Sequence, residues 1–209
     1  MSQPRTGPHR RRRLTRDVIV RAALDLSEAE GLEKLSTHKV GAALGVTGMS
    51  LYNHVSDKSG LLDAMADAIL AEVVLPDLAG ESWEEQLRML GRALRVAVSR
   101  YPQTAPLALT RRLNAPAVLP LVDATLEILR EAGLERREAV HVLRVVIAFL
   151  VGSLTRELGL PSRTSELAAV DLTSFPHVAS AGSELASIDH DLEFEYGMDL
   201  LLAGLRSRL

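Results

Sequence analysis

Apolar residues recur three and four positions apart along most of this chain, which is the spacing of one face of an α-helix. The series stop at glycines such as Gly31 and Gly45, and they restart after hydroxyl residues such as Ser36, Thr47 and Ser82. Glycine favours the left-handed turn that ends a helix, and a hydroxyl oxygen accepts from the free N–H groups at a helix start. The pattern therefore predicts an all-α protein.

These start and stop signals also give approximate bounds. Besides two short helices within 35–58, they predict helices at about 15–30, 57–74, 82–100, 102–113, 116–132, 135–158 and 189–206. The predicted buried face of the first helix consists of Val18, Ala22, Leu26 and Ala29. Residues 159–188 hold Pro, Ser and Gly and predict a loop with one short helix. Residues 76–80 form a second loop, which marks the boundary between two regions.

The segment 35–58 has the pattern of a helix-turn-helix. Its predicted buried stripes are Val40, Ala43 and Leu44 on the first helix, and Leu51 and Val55 on the second. This assignment turns six uncharged residues of the second helix outward: Gly48, Met49, Ser50, Tyr52, Asn53 and His54. A solvated helix face would more often carry Glu and Lys. Small, aromatic and amide side chains suit a surface that lies against base edges and phosphates.

The charge distribution agrees with a nucleic-acid partner for the N-terminal region only. The whole chain has a net charge of −3, but residues 1–60 carry 10 Arg and Lys against 6 Asp and Glu. Residues 61–209 carry 14 against 21. The predicted organisation is a disordered basic arm over 1–13, a DNA-binding domain over 14–60 and a larger helical domain over 61–209.

Several function classes lack their sequence signals. There is no cysteine, no Gly-x-Ser-x-Gly elbow, no phosphate loop and no dinucleotide fingerprint, so no catalytic residue, enzyme activity or cofactor is expected. His177 and His190, with nearby acidic residues, lack reliable metal-ligand spacing, and no metal site is predicted. The run Arg10–Arg13 is not followed by a signal-peptide core, and the longest apolar run, 145–151, is shorter than a membrane span. We expect a cytoplasmic, nucleoid-associated protein.

Residues 14–70 resemble the TetR family of one-component transcriptional regulators. The residues that carry the resemblance are Leu44, Gly45, Val46, Ser50, Leu51, Tyr52, His54, Val55, Lys58, Leu61 and Leu62, in the order LGV…SLYNHVSDKSGLL. The segment 15–31 resembles the first helix of the family. A weaker resemblance to the tetracycline-repressor branch continues through Glu81-Ser82-Trp83 and the helices after it. The resemblance implies a helix-turn-helix domain followed by a helical domain for effector binding and dimerisation.

The residue types at the helix-turn-helix suggest individual DNA contacts. Tyr52 and Lys58 are expected to contact phosphate, Met49 a thymine methyl and Asn53 an adenine edge. The complete set of expected DNA-binding residues is Arg12, Arg13, His38, Thr47, Gly48, Met49, Ser50, Tyr52, Asn53, His54 and Lys58. His38 occupies a position at which the tetracycline repressors of the family carry a guanine-reading arginine. The basic arm is either a DNA contact or a solubilising tail, and Met49 and Asn53 could also be non-contacting surface residues.

The resemblance also implies an effector cavity in the second region. Its expected lining is Met65, Ile69, Leu90, Leu94, Leu107, Thr110, Asn114, His141 and Val145, which suits a small hydrophobic molecule. The positions that hold tetracycline and magnesium in that branch align here with Val74, Leu90, Leu94, Leu107 and Arg156. The first four cannot ligate a cation and Arg156 would repel one, so we do not expect a tetracycline–magnesium sensor. The alternative is that these leucines simply fill the core.

The long helix at 135–158 and the last helix carry more apolar surface than one small domain needs. The expected dimer interface consists of Val146, Leu150, Leu154, Leu200, Leu201 and Leu205, in a four-helix bundle between two subunits. The alternative is intramolecular core. The predicted function is a homodimeric repressor released from a palindromic DNA operator by a hydrophobic effector. An activator, a ligand-independent nucleoid protein, or less readily an all-helical enzyme or carrier, are the alternatives.

Overall fold

The structure, a computed structural model, describes residues 13–110, 115–159 and 173–209. Helices are the only regular elements in these ranges, which confirms the all-α prediction. They are α1 (Arg16–Glu30), α2 (Thr37–Leu44), α3 (Gly48–Leu51), α4 (Lys58–Leu70), α5 (Trp83–Ser99), α6 (Ala105–Leu109), α7 (Leu119–Glu131), α8 (Arg136–Glu157), α9 (Pro176–Ser180), α10 (Gly182–Ala186) and α11 (His190–Arg206). Short 3₁₀ turns cover Leu32–Lys34 and Pro116–Val118. The chain divides into two compact units, 1–65 and 66–209.

The N-terminal unit packs α1 against α2 and α2 against α3. Thr15 caps α1 by accepting a hydrogen bond from the backbone N–H of Val18 at 3.3 Å. The buried residues of α1 are Ile19, Val20, Ala23, Leu24 and Ser27. The predicted face is therefore displaced by one position, with Ala29 exposed and Val18, Ala22 and Leu26 only half-buried. One residue turns a helix by about 100°, and the apolar series of α1 is broad enough to permit either assignment.

Helix α2, the first of the helix-turn-helix, begins and ends as its residue types require. Ser36 caps α2 through the backbone N–H of Lys39 at 3.2 Å, and Gly45 ends it in the left-handed region at φ 67°. Of the expected stripes, Val40, Leu51 and Val55 are buried. Ala43 is exposed, and Leu44 is half-buried. The buried partner of Val40 is Gly41, which a hydrophobicity pattern cannot reveal.

The C-terminal unit is a helical bundle around α5, α7 and α8, with α11 packed against α8. Ion pairs join α5 to α11: Arg88 contacts Asp199 at 2.8 Å, and Arg92 contacts Glu195 at 2.8 Å. Between α8 and α11, a Cβ added at Gly197 would clash with the ring of Phe149, so this glycine permits their close packing. The expected single helix in 159–188 is corrected to two, α9 and α10, for the part of that segment that the structure describes.

Helix α8 is long and apolar enough to cross a membrane, with a mean hydropathy of 1.7 over 18 residues. The uninterrupted apolar run alone does not reveal this property, because Arg144 precedes it and Gly152 and Ser153 follow it within a longer, mainly apolar helix. One such helix is weak support for a membrane span, since a core helix has the same composition. Here Ala139, Leu143, Val146, Leu150 and Leu154 of α8 are buried in the C-terminal unit.

Candidate DNA-reading surface and effector cavity

The outward surface of α3 and the turn that follows it keeps the uncharged character expected from the sequence. Met49 is 77% exposed and Tyr52 is 44% exposed, while Leu51 is fully buried and anchors the segment. Asn53 and His54 are also exposed. Regular α-helix covers only Gly48–Leu51, and the chain continues through turns to the start of α4. The side chains are therefore presented on a short helical turn rather than on a long helix.

Two hydroxyl contacts hold this surface in place. Tyr52 Oη lies 3.4 Å from Thr37 Oγ1, which connects the aromatic ring to the first turn of α2. Thr47 does not cap α3 with its side chain; its hydroxyl lies 2.9 Å from the hydroxyl of Ser50. If Thr47 donates, Ser50 keeps its own hydrogen for a base or phosphate. Both contacts reduce the number of side-chain conformations that binding must fix.

The turn between α2 and α3 is close enough to require a glycine on α2. A Cβ at Gly41 would lie 2.9 Å from the carbonyl oxygen of Val46 and 3.0 Å from the backbone nitrogen of Gly48. The Val46 N–H donates to the Gly41 carbonyl at 2.9 Å, so the two backbones are in direct contact. The apolar spacing of α2 gives no indication of the role of Gly41. Its signal was available: a glycine inside a helix costs about 0.5–1 kcal/mol relative to alanine and is retained where backbones approach.

The remaining expected DNA contacts lie on the surface of the same unit. His38 is exposed near the start of α2, and Lys58 is exposed at the first position of α4. Arg13 is exposed, whereas Arg12 lies outside the described residues. Lys39 pairs with Glu30 at 2.5 Å, which leaves Lys58 and Arg13 as the better candidates for phosphate contact.

The C-terminal unit contains an apolar chamber of about 80 Å³. Its lining comes from α4, α5, α6, the second 3₁₀ turn, α7 and α8: Leu70, Leu87, Leu90, Gly91, Leu94, Ala108, Leu109, Val118, Leu121, Val122, Thr125, Leu143, Val146, Ile147, Leu150 and Val151. Thr125 carries the one polar side chain in this lining, and its hydroxyl donates to the Leu121 carbonyl at 2.7 Å. A chamber of this composition suits an uncharged apolar molecule.

Only two of the expected lining residues, Leu90 and Leu94, line the chamber. Met65 and Ile69 are buried elsewhere, and Leu107 is half-buried outside the lining. Thr110 and His141 are exposed, Val145 is 52% exposed, and Asn114 lies outside the described residues. The expectation was displaced by one position on two helices: α8 turns Val146 rather than Val145 inward, and α6 turns Ala108 and Leu109 inward rather than Leu107.

The segment that carries the reading surface and the segment that carries the chamber each match a known protein family. Residues 19–65 match the model described as bacterial regulatory proteins of the tetR family, and residues 75–209 match the tetracyclin repressor-like C-terminal domain. The chain belongs to the TetR family. The resemblance read from the sequence is confirmed, and so is the expected combination of a helix-turn-helix domain with a TetR-type C-terminal domain.

Individual members of the TetR family are similar over nearly the whole chain. The class D tetracycline repressor protein of Escherichia coli is 32% identical over 201 residues, which is 94% of this chain and 91% of that protein. A possible TetR family regulator from Streptomyces coelicolor A3(2) has a TM-score of 0.83 at 31% identity, covering 93% of this chain and all of that one. ActR from Streptomyces coelicolor, solved in complex with actinorhodin, has a TM-score of 0.79 at 29% identity, covering 93% and 96%. These relatives are regulators of transcription or are described as such.

Besides Met49 and Tyr52, helix α11 carries a second set of exposed apolar residues. Leu192, Tyr196, Leu200 and Ala203 form an exposed stripe at helical spacing, with Tyr196 61% and Leu200 60% exposed. On α8 the exposed positions include His141, Val145, Ala148 and Gly152. These two stripes are the surfaces of α8 and α11 that the subunit itself leaves open.

Most residues of the expected dimer interface are covered within the subunit itself. Val146, Leu150, Leu154 and Leu205 are buried within the subunit's own core, and Leu201 is half-buried. Of the six residues, Leu200 is the one that is exposed. Both helices are apolar on two faces, and the sequence does not show which face the subunit covers with its own chain.

Within the described residues, no group of three or more His, Asp or Glu side chains is placed to hold a metal ion. Val74, at a position that holds the tetracycline–magnesium ligand set in the tetracycline-binding members, is 78% exposed. Leu90 and Leu94, at two others, face the apolar chamber. The chamber therefore offers a hydrophobic contact surface where those proteins would need polar ligands.

Proposed function

We propose that the protein is a homodimeric, cytoplasmic, nucleoid-associated repressor that binds a palindromic operator in double-stranded DNA. A small uncharged effector that enters the chamber of the C-terminal unit releases it. The observation that carries the proposal is the coexistence, in one TetR family member, of an uncharged exposed reading surface and an apolar chamber in a separate unit. Neither an enzymatic activity nor a cofactor is needed for this function.

The DNA contacts are assigned from side-chain chemistry and exposure. Tyr52 and Lys58 contact phosphate, which fixes the position of the protein on the duplex without reading sequence. Met49, which is 77% exposed, packs against a thymine methyl, while Asn53 and Ser50 form hydrogen bonds with base edges. His38, Thr47, Gly48 and His54 complete the surface, and Arg12 and Arg13 add phosphate attraction.

The dimer is assigned to the exposed stripes of α8 and α11. Burial of the apolar stripe that contains Leu192, Tyr196 and Leu200 lowers the free energy by about 25 cal/mol per Å². A two-fold arrangement lets the same surface of each subunit cover the other, which forms a four-helix bundle. Two reading surfaces then meet half-sites about 34–36 Å apart on one side of the duplex.

Helix α4 connects the two binding events along the chain. Its residues up to Met65 belong to the N-terminal unit, and those from Ala66 belong to the C-terminal unit, where Leu70 lines the chamber. A ligand that displaces Leu70 moves the helix that begins at Lys58. Loss of a few kcal/mol suffices for release, because specific DNA binding exceeds non-specific binding by about 4–10 kcal/mol.

A reporter experiment tests the proposed function. The DNA upstream of the protein's own gene is placed before a reporter, and expression is measured with and without the protein. Repression by the wild type, lost in Tyr52→Ala, supports the proposal. Higher expression in the presence of the protein identifies an activator, and no sequence-dependent effect identifies a nucleoid protein. Val96→Ala, at an exposed apolar position of α5 outside both binding regions, is the matched control for expression level.

A further inference from the structure

A second apolar space lies beside the chamber in the C-terminal unit. It has a volume of about 260 Å³ and is lined by Leu70, Ala71, Val73, Leu75, Ala117, Val118, Pro120 and Leu121. Three of these residues, Leu70, Val118 and Leu121, also line the chamber of about 80 Å³. The two spaces are therefore adjacent, and we call the boundary formed by these three residues the neck. The chamber is called the inner chamber below, and the second space the outer chamber.

We propose that the two chambers form one binding site for an elongated, uncharged, mainly aliphatic molecule. Its narrow apolar end fills the inner chamber, and the rest passes the neck into the outer chamber. The proposal rests on the proposed function and specifies the class of effector. Its basis is the shared neck, the unequal volumes and the composition of both linings.

The inner chamber alone is too small for a bulky effector. An engineered cavity of about 150 Å³ is known to accommodate benzene, and the inner chamber has about half that volume. A compact ring system would have to displace well-packed side chains, which costs about 1–3 kcal/mol or more. A linear chain meets no such demand, because it is narrow and continues into the larger outer chamber.

The linings exclude charge from both chambers. Among the lining residues, which all fall in the described part of the chain, there is no ionisable side chain. An ionised group placed there would lose its hydration without gaining a partner, and this cost is large. The ligand that gains most from the site is therefore neutral along its whole buried length.

Thr125 fixes the orientation of the ligand. Its hydroxyl hydrogen is already donated to the Leu121 carbonyl, and the residue is 94% buried among aliphatic side chains of the inner chamber. It can accept one hydrogen bond but offers a polar head no other partner, whereas the outer chamber, where Ala71, Leu75 and Pro120 are exposed, leaves that head in contact with water. The polar end of the ligand points to the outer chamber, beside Ala71 and Val73 at the end of α4.

The test uses the full-length protein without DNA and a set of simple probes. Calorimetric titration compares 1-hexanol, 1-octanol and 1-decanol, with decanoate and 1-adamantanol as ten-carbon probes that are charged or compact. Affinity for the alcohols should rise about fourfold per methylene, the value expected for burial of one CH₂ group. Decanoate and 1-adamantanol should bind far more weakly than 1-decanol. Equal binding of either one, or no gain beyond 1-hexanol, would overturn the proposal.

Two variants test which part of the ligand each chamber holds. Ala108→Leu narrows the inner chamber and should weaken all three alcohols, whereas Ala117→Leu narrows the outer chamber and should spare 1-hexanol but abolish the gain from 1-octanol to 1-decanol. If Ala108→Leu does not fold, the Ala117→Leu result decides alone. Thr125→Val should leave 1-decanol affinity nearly unchanged. A loss of about fivefold or more, the size expected for one hydrogen bond, would contradict the orientation.

Operator release is measured separately. Alcohol binding with the predicted length dependence but without release of operator DNA would retain the ligand class and refute the effector role of the site. Failure of the length series alongside normal operator binding would refute the ligand class and leave the DNA-binding function intact.

Discussion

The two proposed binding regions of this protein, the DNA-reading surface and the effector chamber, are built in opposite ways. The DNA-reading surface consists of side chains that point away from a small core, with Leu51 buried beneath Met49 and Tyr52. The effector chamber consists of side chains that point inward from five helices and one 3₁₀ turn. One region depends on which residues a short local turn exposes, and the other depends on how separate helices pack.

The two regions therefore respond differently to mutation. A change on the reading surface removes a contact and leaves the packing of the unit in place, whereas a change in the chamber alters both ligand contact and core packing. Functional and structural effects are thus separable in the first region by choice of residue. In the second region they are separable only by a matched control.

The largest expected effect comes from the backbone contact that supports the reading surface. Gly41→Val would force its side chain against the Val46 carbonyl oxygen and the Gly48 nitrogen, so α3 must move. We expect operator affinity to fall about hundredfold or more, which is about 2.7 kcal/mol and less than the whole specific contribution. Ligand binding to the C-terminal unit should persist. Fluorescence anisotropy with operator DNA measures the first, and calorimetry with 1-decanol the second.

Gly48→Ala is the control for folding in that experiment, and its operator affinity is not used as a reference because Gly48 belongs to the proposed reading surface. A Cβ at Gly48 would meet the Cα of His38 at 3.5 Å, which is an ordinary van der Waals contact, so the thermal midpoint should change little. Operator affinity of Gly41→Val equal to that of the wild type would show that the close approach of α2 and the turn is not required.

The next effect concerns the chamber. Leu90→Asn places an amide in the inner chamber and should lower 1-decanol affinity about tenfold, while operator affinity without ligand stays within about twofold. Leu129→Asn is the control, because Leu129 is fully buried but lines neither chamber. It should destabilise the protein without a selective effect on ligand affinity. Equal loss of ligand and operator binding in Leu90→Asn would make Leu90 a core residue only.

A smaller, salt-dependent change in DNA affinity is expected from a lysine on the reading surface. Lys58→Ala should weaken binding to operator and random duplex alike, and it should reduce the slope of log affinity against log salt by about one for each phosphate that the lysine neutralises. Lys39→Ala removes the same charge from a lysine that Glu30 already neutralises, and it should change the slope less. An unchanged salt titration in Lys58→Ala would exclude its phosphate contact.

The smallest effect involves pH and the α5–α11 ion pairs. The hydrogen bond from Arg92 lowers the pKa of Glu195, against the opposing effect of desolvation, and Arg88 adds to the lowering. Since the folded-state pKa is lowered, the stabilisation is fully present above the ordinary value of about 4.3 and is lost as pH falls towards the folded value. Glu195→Gln should therefore flatten the pH dependence of the unfolding free energy below about pH 5, by less than about 1 kcal/mol because the pair is partly exposed.

Glu193→Gln supplies the control, because it removes an exposed carboxylate from the same helix without breaking the contacts of Arg88 and Arg92. A pH dependence of Glu195→Gln identical to that of the wild type would contradict the role of this pair. Denaturant titrations at several pH values provide the measurement.

The sequence predicts the local structure of α2 and α3 well because its signals are local. Ser36 and Gly45 determine the ends of α2 through contacts within four residues, and Leu51 and Val55 are buried as their spacing indicates. The family resemblance is strongest over the same part of the chain, whereas the all-α prediction rests on the apolar spacing of the whole chain. The exposure of Met49, Tyr52, Asn53 and His54 needs nothing beyond that local geometry.

The chamber and the dimer surface could not be predicted to the same degree because both depend on helix rotation. Helix α8 is apolar on two faces, and a rotation of about 100° exchanges Val145 for Val146. On α11, Leu200 and Leu202 differ only in which side of the helix they occupy, yet one is exposed and the other buried. Packing of α5, α7 and α11 selects the face, and this information is spread over the whole C-terminal unit.

The central claim is that two copies of the α3 surface read DNA at a fixed separation. Selection from a pool of random duplexes by the purified full-length protein, with sequencing of the bound fraction, tests it directly. We predict an inverted repeat with half-site centres about one helical turn apart, 10–10.5 base pairs, or a multiple of it. Enrichment of a single unrepeated site, or no enrichment over the starting pool, would contradict the claim.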